Sequence, residues 1–125
     1  MKTLNDYFKK IYCINLDKRI DRWKLAEPHF KDLGLDVERV PGYDGSALGL
    51  EFPPEIKEGA VGCSLSHLFT IKLAKQNNLE NFLLLEDDVV FSHNVLPYRL
   101  VQSQHLCYYV LQLHKLDDRR IHLQI

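Results

Sequence analysis

Three acids, Glu86-Asp87-Asp88, stand directly between the apolar runs Phe82-Leu83-Leu84-Leu85 and Val89-Val90-Phe91. A short continuous apolar run suits a strand buried on both faces of a sheet. Charged residues are almost never fully buried unless paired, so this strand reaches the rim of the core at Glu86. In an open α/β sheet the rim at the carboxyl ends of the strands is where ligands bind. Extended backbone sends Glu86 and Asp88 to one side and Asp87 to the other. Hard cations such as Mg2+ and Mn2+ take oxygen ligands and would relieve the mutual repulsion of the acids. A solvated turn or a helix N-terminus accounts for the same residues without an ion.

Two further clusters could do chemistry beside them. Asn15-Leu16-Asp17-Lys18-Arg19, with Asp21-Arg22, sets basic groups just after an apolar segment. Arginine makes charge-assisted, often bidentate contacts to phosphate. Arg19 and Arg22 also read as an ordinary solvated helix face. Gly59-Ala60-Val61-Gly62-Cys63-Ser64-Leu65-Ser66-His67 reads as a glycine-rich loop opening a helix. Free backbone N–H groups at such a joint suit an anion. It is neither a P-loop nor GxGxxG, and an ordinary loop-to-helix joint explains it equally well. Asp44 can hold a ribose hydroxyl or simply initiate a turn with Gly45. His67 is either a hydrogen-bonded buried histidine or a functional one, and His93 is either a surface residue or within reach of an ion at Asp88. Taken together, the clusters fit a nucleotide diphosphate whose departure in a transfer reaction is stabilised by a metal.

The elements that must position these groups follow from hydrophobic pattern. Residues 9–16 read as a first strand. Ile20, Trp23, Ala26, Phe30 and Leu33 make one apolar helical stripe that ends at Gly34. Pro28 predicts a kink there, or two short helices. Residues 35–40 alternate as a second strand, and 41–46 are dense turn chemistry. A Pro-rich loop follows over 46–58. Leu65, Leu68, Phe69 and Leu73 give the stripe of a second helix, ended by Asn77-Asn78. The acidic strand comes next over 82–91. A short helix over 95–101 and a strand over 106–113 complete the reading; 114–125 has no assignment. This order predicts α/β with a largely parallel sheet.

At 125 residues the chain is one domain, able to bury roughly 65% of its unfolded surface. Sixteen Lys plus Arg against seventeen Asp plus Glu give a net charge of −1, so nothing global points to nucleic acid or an anionic membrane. No apolar run is long enough to span a bilayer, and the first residues lack the apolar core of a signal peptide. Cys13, Cys63 and Cys107 are scattered and odd in number, which argues for a reducing compartment. A cytoplasmic chain, or one peripheral to a membrane, is expected.

At the three clusters the sequence resembles glycosyltransferase family 25, which includes bacterial lipooligosaccharide galactosyltransferases and procollagen galactosyltransferases. The resemblance is carried by Ile14-Asn15-Leu16-Asp17-Lys18-Arg19-Ile20-Asp21-Arg22, by Tyr43-Asp44-Gly45, by Gly59 to His67, and by Leu83-Leu84-Leu85-Glu86-Asp87-Asp88. It covers residues 9–92. It implies a GT-A-like nucleotide-diphospho-sugar transferase fold, a UDP-sugar donor (galactose most often), a glycan or hydroxylated protein acceptor, and a divalent metal, usually Mn2+. Carried over by position, Glu86 and Asp88 serve the metal and nucleotide. Asn15, Asp17, Arg19, Arg22 and Asp44 lie by the nucleotide, with Ser66 and His67 in the matching motif.

Lys18 stands where the family commonly has Arg, and family members continue well past this length. Residues 1–125 are therefore read as a single, incomplete domain, the donor-binding portion, with 93–125 divergent or truncated. The catalytic base is not identified. A remnant that binds a nucleotide sugar without transferring it, or one half of a split enzyme, is the alternative. A phosphoacceptor receiver domain is disfavoured, because its acidic cluster would have to open the domain. Missing flanking strands would leave exposed sheet edges, through which self-association is expected.

Overall fold

The computed structural model describes residues 3–89 together with strands at 107–110, 112–115 and 121–124. A four-residue helix, α1 (Leu4–Tyr7), precedes β1 (Ile11–Asn15). A single 3-10 turn over Asp17–Arg19 leads into α2 (Ile20–Asp32). Then come β2 (Val37–Pro41), a second 3-10 turn at Gly45–Ala47, α3 (Glu58–Gln76) and β3 (Asn81–Glu86). β4 (Cys107–Val110), β5 (Gln112–Lys115) and β6 (Ile121–Gln124) follow. The first four strands form one parallel sheet in the order β2-β1-β3-β4. β5 and β6 pair antiparallel in a separate ladder. The segment read as one strand over 106–113 thus divides between the two sheets, and the unassigned last stretch supplies β6. The helix expected over 95–101, and His93, lie outside the described residues.

Side-chain alternation along β1 and β3 builds a core on each face of the sheet. Ile11, Cys13, Leu83 and Leu85 pack with Ala26 and Phe30 of α2. Tyr12, Phe82, Leu84 and Val40 pack with Ala74 of α3. With helices on both faces, the interior of β3 is apolar, and Phe82 to Leu85 are all buried. The parallel α/β expectation therefore holds.

Three local readings are corrected. α2 is one helix running through Pro28, and not two short ones. Lys24 and Pro28 are both exposed, so water can take the carbonyl that Pro28 leaves without its helical donor. The helix ends as expected at Gly34, whose φ of +68° suits a residue lacking Cβ. β3 stops at Glu86: the Val89 N–H donates to the Glu86 carbonyl at 3.1 Å, closing a turn over the acids. Strand alternation therefore does not govern Asp87 and Asp88. Finally, residues 59–67 are helical, since α3 begins at Glu58.

The fully buried face of α3 is made of small residues, with Leu73 of the leucine stripe packed beside it. Gly62, Ser66, Thr70 and Ala74, each four apart, are buried, whereas Leu68 is 48% and Phe69 40% exposed. Small residues let this helix meet backbone with backbone. A Cβ on Gly62 would stand 2.5 Å from the Tyr43 carbonyl oxygen and 2.6 Å from the Gly45 nitrogen. A Cβ on Gly45 would stand 1.8 Å from the Glu58 carbonyl oxygen. The two buried hydroxyls are satisfied within the helix: Ser66 Oγ donates to Gly62 O at 2.7 Å and Thr70 Oγ1 to Ser66 O at 2.8 Å. Around Gly59, by contrast, a Cβ would meet nothing.

This predicts opposite signs for two glycine substitutions in one helix. Gly62→Ala should lower stability by about 1–3 kcal/mol through overpacking. Gly59→Ala should raise it by about 0.4–1 kcal/mol by restricting the unfolded chain. Urea denaturation of both variants measures this, and equal effects would refute the close-approach account.

Candidate functional site

Parallel strand order places the carboxyl ends of β1, β2 and β3 side by side, with Ile14 level with Glu86 and Asn15 level with Pro41. β1 is followed in sequence by its neighbour on one side, β2, and the chain later returns to its other side as β3. The strand order reverses there, the place in such sheets where ligands bind. Three of the sequence-predicted residues, Asn15, Arg22 and Asp88, gather at this point around Asp87.

Asn15 is buried, 1% exposed, and its amide is fully engaged. Nδ2 donates to Asp87 Oδ2 at 2.7 Å and to the Arg19 carbonyl at 3.0 Å. Oδ1 accepts from Arg39 Nε at 2.8 Å, and Arg39 also donates to the Asn15 carbonyl at 3.2 Å. Arg22, from the first turn of α2, forks across the acidic turn. Its Nε lies 3.3 Å from Asp87 Oδ1 and a terminal nitrogen 3.2 Å from Asp88 Oδ2. Asp87 is 9% exposed and Asp88 42%, so one member of the pair is nearly buried and the other open to solvent.

Glu86 faces α3 instead. His67 Nε2 lies 3.1 Å from its Oε1, and Cys63 Sγ donates to the same oxygen at 3.5 Å. One helical turn separates Cys63 from His67, so both project from one face of α3 toward the end of β3. Their three ligand atoms lie within 4.8 Å of one another, a grouping able to hold a metal ion. The His67 hydrogen bond holds the Glu86 carboxyl below its ordinary range, against the opposing effect of burial. Burial and the neighbouring acids push the Cys63 thiol up to about 11 and that of Cys13 up to about 12. Both thiols are protonated near neutrality.

The remaining predicted residues have other partners. Asp17 receives Arg39 at 2.6 Å and is exposed. Arg19 pairs with Asp21 at 3.0 Å on the surface of α2. Asp44 is held by Lys18 at 2.6 Å and accepts from the Ser46 N–H and hydroxyl. Lys18 and Ser46 keep its carboxyl below the usual range. Ser66 is a positioning group: its Oγ accepts from the Tyr43 N–H at 2.8 Å and so docks the Tyr43–Gly45 turn on α3. Because 59–67 is helical, most of its N–H groups serve the helix and not an anion.

Sequence reasoning missed Cys63, Asp87 and Arg39. The i, i+4 spacing of Cys63 and His67 was a usable signal once that stretch is taken as helix. Asp87 was assigned to the opposite side because the strand was extended too far. Arg39 reaches Asn15 only through the pairing of β2 with β1, and nothing local announces it.

A pH dependence follows from Glu86. Its folded pKa lies below the ordinary 4.5, so its ionised form stabilises the fold above that range, and this contribution is lost as pH falls through the folded value. Acid unfolding followed by Trp23 fluorescence should show a shallower limb in Glu86→Gln, and an unchanged limb would count against the His67–Glu86 contribution.

With the geometry in place, relatedness is clear. The family described as Glycosyltransferase family 25 (LPS biosynthesis protein) matches residues 8–124. An Aedes aegypti protein named Glycosyltransferase 25 family member is 36% identical over 98 residues, which cover 65% of this chain and 16% of that protein. A mimivirus protein named Putative glycosyltransferase R655 is 34% identical over 98 residues, covering 68% of this chain and 30% of its own length. Mouse Procollagen galactosyltransferase 2 is 31% identical over 103 residues, covering 69% and 16% respectively. The chain thus spans a minor part of the length of these curated relatives. No solved structure matches it. Both the strand-end acids and the Asn15 segment fall inside the family match, on a parallel α/β sheet that fits a nucleotide-sugar transferase fold, and the chain belongs to glycosyltransferase family 25.

Proposed function

We propose that this chain is the donor-binding portion of a glycosyltransferase that passes a hexose, galactose first, from a UDP-sugar to a hydroxyl of a saccharide or hydroxylated protein. The carrying observation is the cluster of Asn15, Arg22, Asp87 and Asp88 at the point where the strand order reverses. In the reaction the acceptor oxygen bonds to the anomeric carbon, and the bond from that carbon to the diphosphate oxygen breaks. The acceptor proton passes to a base that these residues do not identify. Arg22 is suited to the diphosphate, because a guanidinium makes charge-assisted bonds to phosphate oxygens. A hollow of about 260 Å3 lined by Pro41, Gly42, Tyr43 and Phe69 opens beside the Asp44 turn. Tyr43 and Phe69 meet edge to face with centroids 6.0 Å apart, and both are partly exposed, which suits a nucleobase. Asp44 next to it suits a ribose hydroxyl.

The family-type ion, Mn2+, would draw on Glu86 and Asp88. These two carboxylates are turned to His67 and Arg22 respectively, so Asp88 is available once a diphosphate takes Arg22. A divalent ion supplies charge neutralisation to the leaving nucleoside diphosphate. The reading includes a reducing compartment, in keeping with free thiols at Cys13 and Cys63. Among the described residues, no helix is long and apolar enough to cross a membrane. Because the match is a minor part of the relatives' length, binding without transfer is the second reading.

Calorimetric titration with UDP tests this. Binding should tighten with Mn2+, and Asp88→Ala should abolish the metal dependence. Arg22→Ala should weaken UDP binding at least about tenfold, since hydrogen bonds to charged groups contribute about 1.5–3 kcal/mol. A folded chain that binds no UDP would sink the donor-binding reading. Binding without transfer to any acceptor, even with added partner segments, would favour the second. Self-association belongs to the same reading. β2 forms one edge of the sheet and carries Glu38, Arg39 and Pro41, which discourage edge pairing. Sizing chromatography at rising concentration should show oligomers formed through another edge, and a strict monomer throughout would refute this.

A further inference from the structure

Cys63, His67 and Glu86 present sulfur, nitrogen and oxygen to a common point. His67 is 19% exposed and Glu86 36%, while Cys63 is exposed, so the point is open to solvent on one side. An oxygen-only ion such as Mn2+ or Mg2+ has no preference for a thiolate and an imidazole, whereas Zn2+ takes both. Tetrahedral bonds of about 2.0–2.3 Å place ligand atoms about 3.3–3.8 Å apart. The observed separations are 3.1 Å from imidazole to carboxylate and 3.5 Å from sulfur to carboxylate, with all three within 4.8 Å. Two of the ligands leave a rigid helix at i and i+4, and the third leaves the last residue of a central strand.

We propose that these three residues form a Zn2+-class site, which shares Glu86, but not Asp88, with the carboxylate site that the family reading gives to Mn2+. Sulfur binds as the thiolate: the S–H bond breaks, the proton goes to solvent, and the S–Zn bond forms. His67 binds through Nε2 as the neutral imidazole, and Glu86 through Oε1. Three protein ligands leave the fourth position to water or to an anionic ligand, as in sites that exchange ligands and unlike closed four-ligand structural sites. The proposal does not rest on donor binding, because the metal alone is the probe.

The test uses the whole chain without nucleotide. Zn2+ is titrated by calorimetry, and Co2+ by absorption, where a thiolate-to-cobalt charge-transfer band reports sulfur ligation. One Zn2+ should bind per chain and the band should appear. Cys63→Ser and His67→Ala should each weaken Zn2+ binding by at least about tenfold, the low end even for the loss of outer-shell partners. Cys63 is exposed, so its serine variant should retain the native circular dichroism. Asp88→Asn separates this site from the proposed Mn2+ site: it should leave Zn2+ binding intact while removing any Mn2+ dependence of UDP binding. Zn2+ affinity unchanged in Cys63→Ser, or the absence of the cobalt band in a folded chain, would overturn the proposal and leave a hydrogen-bonded cluster only. Equal loss of Zn2+ binding in Asp88→Asn would also overturn it, by placing the ion on the acidic turn.

Discussion

One buried amide holds the candidate site together. Asn15 sits where β1 ends, out of contact with water, and an amide buried without partners is costly to the fold. Both of its donors and its oxygen are used, and each leads to a different part of the chain: the Asp17–Arg19 turn, β2 through Arg39, and the acidic turn through Asp87. The backbone of Asn15 adds the Gly42 N–H, which donates to its carbonyl at 2.9 Å. No apolar residue of similar volume could satisfy these groups, and aspartate would set a second carboxylate against Asp87. The positions of Arg22, Asp87 and Arg39 are thereby fixed relative to one another before any ligand arrives.

A second constraint acts from the other face of the sheet. Because Gly62 and Gly45 allow α3 to touch the 43–45 turn through backbone atoms, the N-terminal half of α3 is pinned against the carboxyl ends of β1 and β2. Cys63 and His67 are then carried to Glu86 at fixed distance. The same close packing turns Leu68 and Phe69 outward, and Phe69 contributes to the aromatic hollow beside Tyr43. An arrangement that looks wasteful as core packing is thus consistent with a surface that receives an apolar ring.

Much of this was legible in the chain itself. The apolar run of β3 and the strand–helix–strand order gave a parallel α/β sheet, and the acids fell at its carboxyl end as the physics of burial requires. Gly34 marked a helix end correctly, because its positive φ is a local demand. The failures have different causes, and only the packing of α3 depends on a contact distant in sequence. Of the stripe Leu65, Leu68, Phe69 and Leu73, Leu73 packs against the core, but Leu68 and Phe69 turn outward, because a backbone-to-backbone contact made small residues the better fit for the buried face. Strand propensity of Val89, Val90 and Phe91 suggested a strand through the acids, but the hydrogen bond from Val89 to Glu86 closes a turn there. Pro28 carried its penalty on the solvent side, where water can satisfy the freed carbonyl.

The acids also show how three adjacent carboxylates are accommodated in one turn. Three adjacent carboxylates repel one another, and here Glu86 is relieved by His67 and Cys63, Asp87 by Asn15 and Arg22, and Asp88, among the described residues, by Arg22. These attachments are not equal. The Arg22–Asp88 contact is part-exposed on both sides, and pairs of that kind contribute about 0–1 kcal/mol. Removing the partner of a buried polar group costs about 1–3 kcal/mol, more for a charged one, and the Asn15–Asp87 bond is of that kind. On the donor-binding reading proposed above, a phosphate competing for Arg22 would release Asp88 more readily than Asp87, which Asn15 also holds.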